Sequence, residues 1–122
     1  MIIKRNMIIW ADLKSGGKHI QSGVRPCLVV SCDVANRHSP VYTVIPGTTK
    51  KEQKHIPVHF EVKPDDINGY LKSTTRFLPE QISTISEKQI IQIAGLIENQ
   101  DILRQIDRML IRQLAICTIP PA

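Results

Sequence analysis

The segment Gly23-Val24-Arg25-Pro26 places an arginine where a flexible stretch of chain meets an apolar one. Pro26 restricts the backbone directly after the arginine, so the guanidinium is expected to project from the rim of the fold with little freedom. A guanidinium presents a planar fork of donors that matches phosphate oxygens, and it stays charged at neutral pH. Arg25 is therefore a candidate phosphate ligand. A salt bridge at the rim is the alternative explanation of the same four residues.

Several other kinds of chemistry lack their sequence signatures. The four histidines, His19, His38, His55 and His59, show neither zinc-finger spacing nor a His-Glu-x-x-His motif, so no metal is expected. The glycine-rich phosphate-binding motifs and the Gly-x-Ser-x-Gly elbow do not occur in the sequence. Cys27 lies within an apolar run and is expected to be a core residue rather than a nucleophile. The sequence thus predicts no metal and no cofactor.

Length and composition predict one globular domain spanning residues 1–122. Sixteen Lys and Arg against eleven Asp and Glu give a net charge of +5, which favours polyanionic partners such as nucleic acid or acidic protein tails. A basic surface that only aids solubility is the alternative. Three cysteines without a Cys-x-x-Cys pair, and the lack of a signal peptide or a long apolar stretch, predict a cytoplasmic protein that does not enter a membrane.

The elements that must position Arg25 can be read from the periodicity of apolar residues. Strands are predicted over residues 7–13, 26–31, 41–46, 55–62, 74–78 and 90–97, with a flexible loop over 14–24 and turn-rich connections over 33–40 and 64–69. Strict alternation over 55–62 puts His55 and His59 on the polar side of their strand, where they are expected to be exposed.

From Gln100 onward, apolar residues recur at three- and four-residue spacing, which predicts an amphipathic C-terminal helix. Asn99 or Asp101 is its expected cap, and Pro120-Pro121 forbids its continuation. Five to seven short strands and one helix predict a mainly β fold with some α structure: a small, strongly bent β-barrel with a C-terminal helix packed on it.

Five short motifs resemble, in order and spacing, those of the MazF/PemK/Kid toxin family. They are Trp10-Ala11-Asp12-Leu13, Gln21 to Pro26 (Gln-x-Gly-x-Arg-Pro), Asn36 to Pro40 (Asn-Arg-x-Ser-Pro), Thr48 at the end of a strand, and Glu80 to Ile85 (Glu-Gln-x-x-Thr-Ile). Each motif is weak alone, but five in order are specific and cover essentially the whole chain. The resemblance implies a small SH3-like barrel of the MazF/CcdB type with a C-terminal helix, usually found as a homodimer.

The same resemblance implies the toxin of a type II toxin-antitoxin system, an mRNA interferase that cleaves single-stranded RNA at selected sequences without a metal. The ribose 2′-hydroxyl attacks the adjacent phosphate, and the products carry a 2′,3′-cyclic phosphate and a 5′-hydroxyl. Arg25 and Thr48 fall on the family's catalytic arginine and threonine. His19 matches a loop histidine of the Kid branch, and Glu80 takes the position of an acidic residue near the Kid site.

This reaction needs a proton acceptor, a proton donor and groups that stabilise charge on the phosphate oxygens. Arg25 suits the last role, since a guanidinium gives up its proton only at strongly alkaline pH, and Thr48 can donate a hydrogen bond to the phosphate. His19 is the better acid or base if its loop brings it within reach, and a solvated loop residue is the alternative. Proton transfer stays open between Arg25, His19 and Glu80.

Four further polar residues, Lys18, Gln21, Lys50 and Gln81, are predicted RNA contacts, because Gln can read base edges and Lys can hold phosphate. Ordinary surface polarity is the alternative for each. The sequence departs from the family pattern at Asn6-Met7, at Ile20 and at Ser83. These positions lie in loops that shape RNA contacts, so the departures bear on the cleavage sequence more than on activity.

The expected protein partner is an acidic, MazE-like antitoxin whose disordered tail lies along the basic RNA groove. Two other functions fit the same fold. One is a non-enzymatic, CcdB-like toxin that binds DNA gyrase, and the other is an inactive barrel that binds nucleic acid without cutting it.

Overall fold

The computed structural model describes residues 1–14, 17–50 and 56–117. The described part of the chain contains eight strands and two α-helices. In chain order these are β1 (Met7–Leu13), β2 (Gly23–Val29), α1 (Asp33–His38), β3 (Val41–Thr48), β4 (Phe60–Val62), β5 (Asn68–Gly69), β6 (Thr75–Phe77), β7 (Ser83–Ser86), β8 (Ile90–Leu96) and α2 (Gln100–Leu114). Short 3-10 helices lie at Pro64–Asp66, Pro79–Gln81 and Glu87–Gln89.

The strands form one curled antiparallel sheet in the order β4-β6-β3-β2-β1-β8-β5, with β7 also paired to β3. Strand β3 has neighbours on both edges. Its residues Val44 to Pro46 pair with β2, while on the other edge its first half pairs with β7 and its last two residues, Gly47 and Thr48, pair with β6. The predicted mainly β fold with a C-terminal helix is confirmed.

The middle strands are buried on both faces, because consecutive residues enter two different apolar clusters. Ile8, Leu28 and Ile45 belong to one cluster, whereas their neighbours Ile9 and Val44 belong to the other. This two-sided burial explains why residues 26–31 read as a continuous apolar run rather than an alternating one.

Helix α2 covers the first of these clusters with Ile106, Met109 and Leu110. Its N-terminus is capped by Asn99, whose side chain accepts hydrogen bonds from the backbone N–H groups of Asp101 and Ile102. The predicted helix and its cap are thus confirmed. The helix ends at Leu114, followed by Ala115 in the left-handed conformation, and Pro120-Pro121 lies outside the described residues. Neither α-helix described here is long and apolar enough to cross a bilayer.

Two strand boundaries differ from the prediction in ways that matter for the site. Strand β2 begins at Gly23 rather than Pro26, so Arg25 lies inside the strand and the preceding loop ends at Ser22. Strand β3 continues through Pro46 to Thr48, because Gly47 and Thr48 pair with β6 after the pairing with β2 has ended. Both candidate catalytic residues are therefore on strands.

Two other local predictions are wrong, and one strand of the fold lacks a prediction. Residues 33–38 form a helix instead of a turn, stabilised by buried Asn36, whose side-chain amide donates to the carbonyl of Ser31. The strand predicted over 55–62 is a strand only at Phe60–Val62, and the part that precedes Ile56 lies outside the described residues. Strand β7 was not predicted, since Ser83-Thr84-Ile85-Ser86 carries one apolar residue and becomes a strand by pairing with β3.

Candidate active site

Arg25 and Thr48 lie at the same end of the β2–β3 strand pair. The last pair of this antiparallel register is Cys27 opposite Pro46, and Arg25 and Thr48 are each two residues beyond it. Because side chains alternate along a strand, two residues of separation keeps each side chain on the face of its paired neighbour. Arg25 and Thr48, which are 23 positions apart in the sequence, thus lie at the same end of the strand pair.

A further arginine lies opposite Thr48 on the edge of β3 that faces away from β2. Thr48 is paired with Arg76 of β6, and Arg76 is paired in turn with Glu61 of β4. Directly opposite residues of antiparallel strands present their side chains on the same face. Nη2 of Arg76 lies 3.4 Å from Oε1 of Glu61.

These residues border a cavity of about 240 Å³, lined by Thr48, Thr49, Lys50, Glu61, Thr74 and Arg76. Thr48 is only 2% exposed, and its hydroxyl oxygen accepts a hydrogen bond from the backbone N–H of Lys50 at 3.1 Å. The hydroxyl proton remains available to donate. A cavity with two cationic side chains, one carboxylate and a hydroxyl donor is suited to an anionic ligand.

Arg25 is partly buried and lies opposite Ala11 on β1. Its Nε donates to the carbonyl of Ser22 at 3.0 Å. That bond uses one of the five N–H donors of the guanidinium and orients the group relative to the loop that precedes β2.

The loop before β2 is fastened by Gln81, which follows Glu80 in the 3-10 helix Pro79–Gln81. Oε1 of Gln81 accepts from the backbone N–H of Gln21 at 2.7 Å, and Nε2 donates to the carbonyl of His19 at 3.2 Å. A single side chain therefore holds two positions of the loop, and both ends of its amide are bonded within the chain.

Ile20 and Ser83, two of the departures from the family pattern, line a second cavity of about 320 Å³ beside this loop. Gln21 and Gln81 also contribute to its wall, as does Pro46, which adjoins the Thr48 end of β3. These two departures thus lie on one surface, which Pro46 connects to the Thr48 end of β3.

The imidazole of His19 is not among the residues that line the Thr48 cavity, and His19 is exposed, as is Lys18. The hydrogen bond to Gln81 uses the backbone carbonyl of His19. The structure places Thr48 and Lys50 in the wall of one cavity, and it places Arg25, which does not line that cavity, at the same end of the β2–β3 pair. Gln21, in the loop before β2, is bonded to Gln81.

Glu80 contacts His59, which the sequence pattern predicted to be exposed on the polar side of its strand. Oε2 of Glu80 lies 2.7 Å from Nε2 of His59, whose side chain is 1% exposed. The prediction of an exposed strand histidine is therefore wrong, because residues 57 and 58 form a turn instead of continuing the strand. His55 lies outside the described residues.

Sequence reasoning missed Arg76 and Glu61. The signal for Arg76 is its place between Thr75 and Phe77, which are both buried, so that alternation turns Arg76 to the opposite face of β6. Periodicity does not predict which strand β6 pairs with. It therefore could not predict that Arg76 lies opposite Thr48.

Cys27 is fully buried in the second apolar cluster, and burial raises the pKa of its thiol to about 12. A thiol that holds its proton so firmly is a poor nucleophile. Among the residues that the structure describes, no group of three His, Cys, Asp or Glu side chains is arranged to hold a metal ion.

Comparison with known proteins gives concordant results. Residues 4–114 match the family described as the PemK-like, MazF-like toxin of type II toxin-antitoxin systems. The chain is 35% identical over 91 residues to a protein named Endoribonuclease EndoA from Bacillus subtilis (strain 168), covering 74% of this chain and 76% of the relative.

Solved structures with lower identity share the fold. MazF from Deinococcus radiodurans superposes with a TM-score of 0.71 at 21% identity, covering 95% of this chain and 99% of that one. An endoribonuclease from a mycobacterial species, solved in complex with its cognate antitoxin, superposes with a TM-score of 0.72 at 20% identity, covering 95% and 96% of the two chains.

Proposed function

Since this chain belongs to the family of PemK-like, MazF-like toxins of type II toxin-antitoxin systems, we propose that it is an endoribonuclease that cleaves single-stranded RNA such as mRNA. The name of the Bacillus subtilis relative supports this activity. We take residues 1–122 to act as one toxin domain, in agreement with a family match that extends over residues 4–114.

The observation that carries the proposal is the shared position of Arg25 and Thr48 at one end of the β2–β3 pair, beside a cavity with cationic walls. An RNA phosphate seated there would receive N–H donors from Arg25 and the hydroxyl proton of Thr48. Donors fixed on paired strands need little rearrangement as charge develops on the phosphate oxygens, which is the property that makes such groups catalytic.

In the proposed reaction, the ribose 2′-oxygen attacks phosphorus and the bond from phosphorus to the 5′-oxygen breaks. The 2′-hydroxyl proton passes to a base, and an acid supplies a proton to the leaving 5′-oxygen. The products are a 2′,3′-cyclic phosphate and a 5′-hydroxyl. Because the nucleophile belongs to the substrate, no metal-bound water is required, and we propose that cleavage is independent of metal ions.

Three groups are candidates for the two proton transfers: Arg25, His19 and Glu80. His19 would need its exposed imidazole to move to the phosphate, whereas Glu80 would have to act while hydrogen-bonded to His59. The pH–rate profiles of His19→Ala and Glu80→Gln distinguish them, because loss of the acid or base removes the corresponding limb of the profile.

We assign sequence selectivity to the loop before β2 and the surface beside it. Lys18, Gln21, Lys50 and Gln81 are the proposed RNA contacts, with the 320 Å³ cavity as the space for a base. Gln81 contributes to selectivity by holding this loop, since both ends of its amide are engaged with loop backbone.

The proposed partners are an acidic antitoxin with a disordered tail and a second copy of the chain. A relative of the same fold has been solved with its cognate antitoxin, and the net charge of +5 favours an acidic segment. An antitoxin tail lying across the Arg25 end of the sheet would exclude RNA by occupying the same cationic surface.

The test is to incubate the purified chain with a long mixed-sequence RNA in EDTA and to map the cleavage sites and end groups. We expect cyclic phosphate and 5′-hydroxyl ends, and a fall in rate of roughly a hundredfold or more in Arg25→Ala and in Thr48→Ala. Arg104→Ala, which removes an exposed arginine of α2, is the matched control and should cleave normally.

Other results would identify the other functions. Uncut RNA together with poisoned DNA gyrase would point to a non-enzymatic toxin of the same fold. Salt-sensitive RNA binding without products would point to an inactive binding barrel.

A further inference from the structure

We propose that Arg76 is a second phosphate-binding arginine of the site, which exchanges its contact with Glu61 for an RNA phosphate when substrate enters the Thr48 cavity. This inference rests on the proposed function, since it names a further substrate contact of the same site. It concerns a residue outside the motifs that carry the family resemblance.

The first argument is position. Arg76 is directly paired with Thr48, and both line the 240 Å³ cavity. Opposite side chains in an antiparallel pair lie on one face and close together. A phosphate within reach of the Thr48 hydroxyl is therefore within reach of the Arg76 guanidinium.

The second argument is that Arg76 is held at a defined place. Its neighbours Thr75 and Phe77 are buried on the other face of β6 and anchor the strand. A Cβ added to Gly47 would lie 2.6 Å from Cγ2 of Thr75 and 3.0 Å from a ring carbon of Phe77. The two strands approach so closely only because position 47 is glycine, and this fixes the backbone of Arg76 beside Thr48.

The third argument is the nature of the contact with Glu61. The nitrogen–oxygen distance is 3.4 Å, and the Glu61 side chain is 49% exposed against 18% for Arg76. An ion pair at this distance whose carboxylate is half exposed is weak and easily exchanged. A phosphate offers the guanidinium two oxygens in the geometry of its donor fork and would displace the single carboxylate oxygen.

Charge in the cavity supports the exchange. Lys50 and Arg76 are its cations and Glu61 its carboxylate among the residues that line it. When Glu61 moves away from Arg76, the charges of Lys50 and Arg76 face the phosphate together with the Thr48 hydroxyl.

The experiment measures binding of a single-stranded RNA made uncleavable by 2′-O-methyl groups, using fluorescence anisotropy at several salt concentrations. Each phosphate contact that is lost should reduce the slope of log affinity against log salt by about 0.7 for a single strand. We expect Arg76→Gln to show this reduction and to bind roughly tenfold more weakly at low salt.

Arg104→Gln is the matched control, because Arg104 also contacts a carboxylate, Asp101 at 2.8 Å, and its loss changes the net charge equally. We expect this variant to retain the wild-type slope. Thermal unfolding of both variants checks that each is folded.

A second pair of variants tests the exchange without altering Arg76. Glu61→Gln removes the competing carboxylate and should tighten RNA binding by about two- to fivefold, whereas Asp101→Asn, with the same change of charge on α2, should leave it nearly unchanged.

The outcomes separate this inference from the proposed function. If the wild type cleaves and binds RNA but Arg76→Gln keeps the slope of Arg104→Gln, or Glu61→Gln binds no better than Asp101→Asn, the role of Arg76 is wrong and the endoribonuclease assignment stands. If the wild type neither binds nor cleaves RNA, both fail.

Discussion

The imidazole of His59 and the carboxylate of Glu80 lie 2.7 Å apart, joining the turn before β4 to the 3-10 helix before β7. Nδ1 of His59 accepts from the backbone N–H of Ile56 at 3.3 Å. Because that N–H can only donate, the ring proton resides on Nε2 and is donated to Glu80. Glu80 is thereby held in place immediately before Gln81, which fastens the loop that leads into β2.

Glu80→Ala should lower the free energy of unfolding by about 1–2 kcal/mol, since it removes the hydrogen bond between Glu80 and the buried imidazole of His59. Glu80→Gln is the matched control, because its amide oxygen can still accept, and its loss should be smaller. Urea denaturation of the three proteins measures the difference. Equal destabilisation by the two substitutions would mean that the hydrogen bond does not stabilise the fold.

Gln81→Ala should loosen the loop before β2 and leave the barrel intact, because Gln81 bonds to the backbone at both Gln21 and His19. We expect faster hydrogen exchange at the Gln21 amide and a higher KM for RNA cleavage. Gln89→Ala is the comparison variant, since Gln89 also bridges two backbone groups, at Ser86 and Asp12. If exchange at Gln21 were equally fast in both variants, the loop would not depend on Gln81.

Cys27 should make the protein less stable at alkaline pH. Burial raises the pKa of its thiol from 9.0 to about 12, so between these values the unfolded chain loses a proton that the folded chain retains. Below pH 9 both states hold the proton and the group has no effect, and above it the free energy of unfolding falls by about 1.4 kcal/mol per pH unit. Urea denaturation from pH 8 to 10.5 should show this fall.

The control for the alkaline effect is Cys27→Ala. This substitution also removes core packing, which lowers stability at every pH. It should nevertheless make the fall in the free energy of unfolding shallower by about 1.4 kcal/mol per pH unit, the contribution of one proton. The exposed variant Cys32→Ala should keep the wild-type slope. Burial and the nearby charge of Glu87 also raise the pKa of Tyr42, so a residual decline is expected at the highest pH. A Cys27→Ala slope equal to that of the wild type would contradict the prediction.

Asn99→Ala should destabilise the chain by about 1 kcal/mol, because its side chain caps two N–H groups of α2. Asn99→Ser retains a capping oxygen and should be close to the wild type. The measurement is thermal or urea unfolding followed by circular dichroism. Loss of stability in both variants to the same extent would assign the effect to something other than the cap.

The parts of the fold that follow from local periodicity could be predicted from the sequence. Strands β1 and β8 are short segments rich in apolar residues, helix α2 has apolar residues at three- and four-residue spacing, and the observed bounds of all three lie within a residue or so of the expected ones. Strand β7 has no such spacing, since three of its four residues are Ser or Thr, and α1 depends on the tertiary bond between Asn36 and Ser31. These two elements arise from contacts that the local sequence does not record.

The candidate site divides in the same way. Arg25 and Thr48 could be named because they occur in ordered motifs, and the β2–β3 register then accounts for their shared position. Arg76 and Glu61 could not, since each is an ordinary charged residue on a three-residue strand whose partner is set by the curl of the sheet. The burial of His59 could not be predicted, because a turn at residues 57 and 58 interrupts the alternation of apolar and polar residues over 55–62.

Strand β3 has neighbours along both of its edges. This affects which parts of a toxin of this family can change in sequence. Val44 is paired on both sides, with Val29 and with Ser83, and Thr48 continues the same strand in its pairing with Arg76, so the sheet fixes the position of Thr48. The loop before β2, in contrast, is bonded at Gln21 and His19 to the side chain of Gln81. If the proposed function holds, exchanging this loop together with residue 81 should change the RNA sequence that is recognised and leave Arg25 and Thr48 in their positions on the sheet.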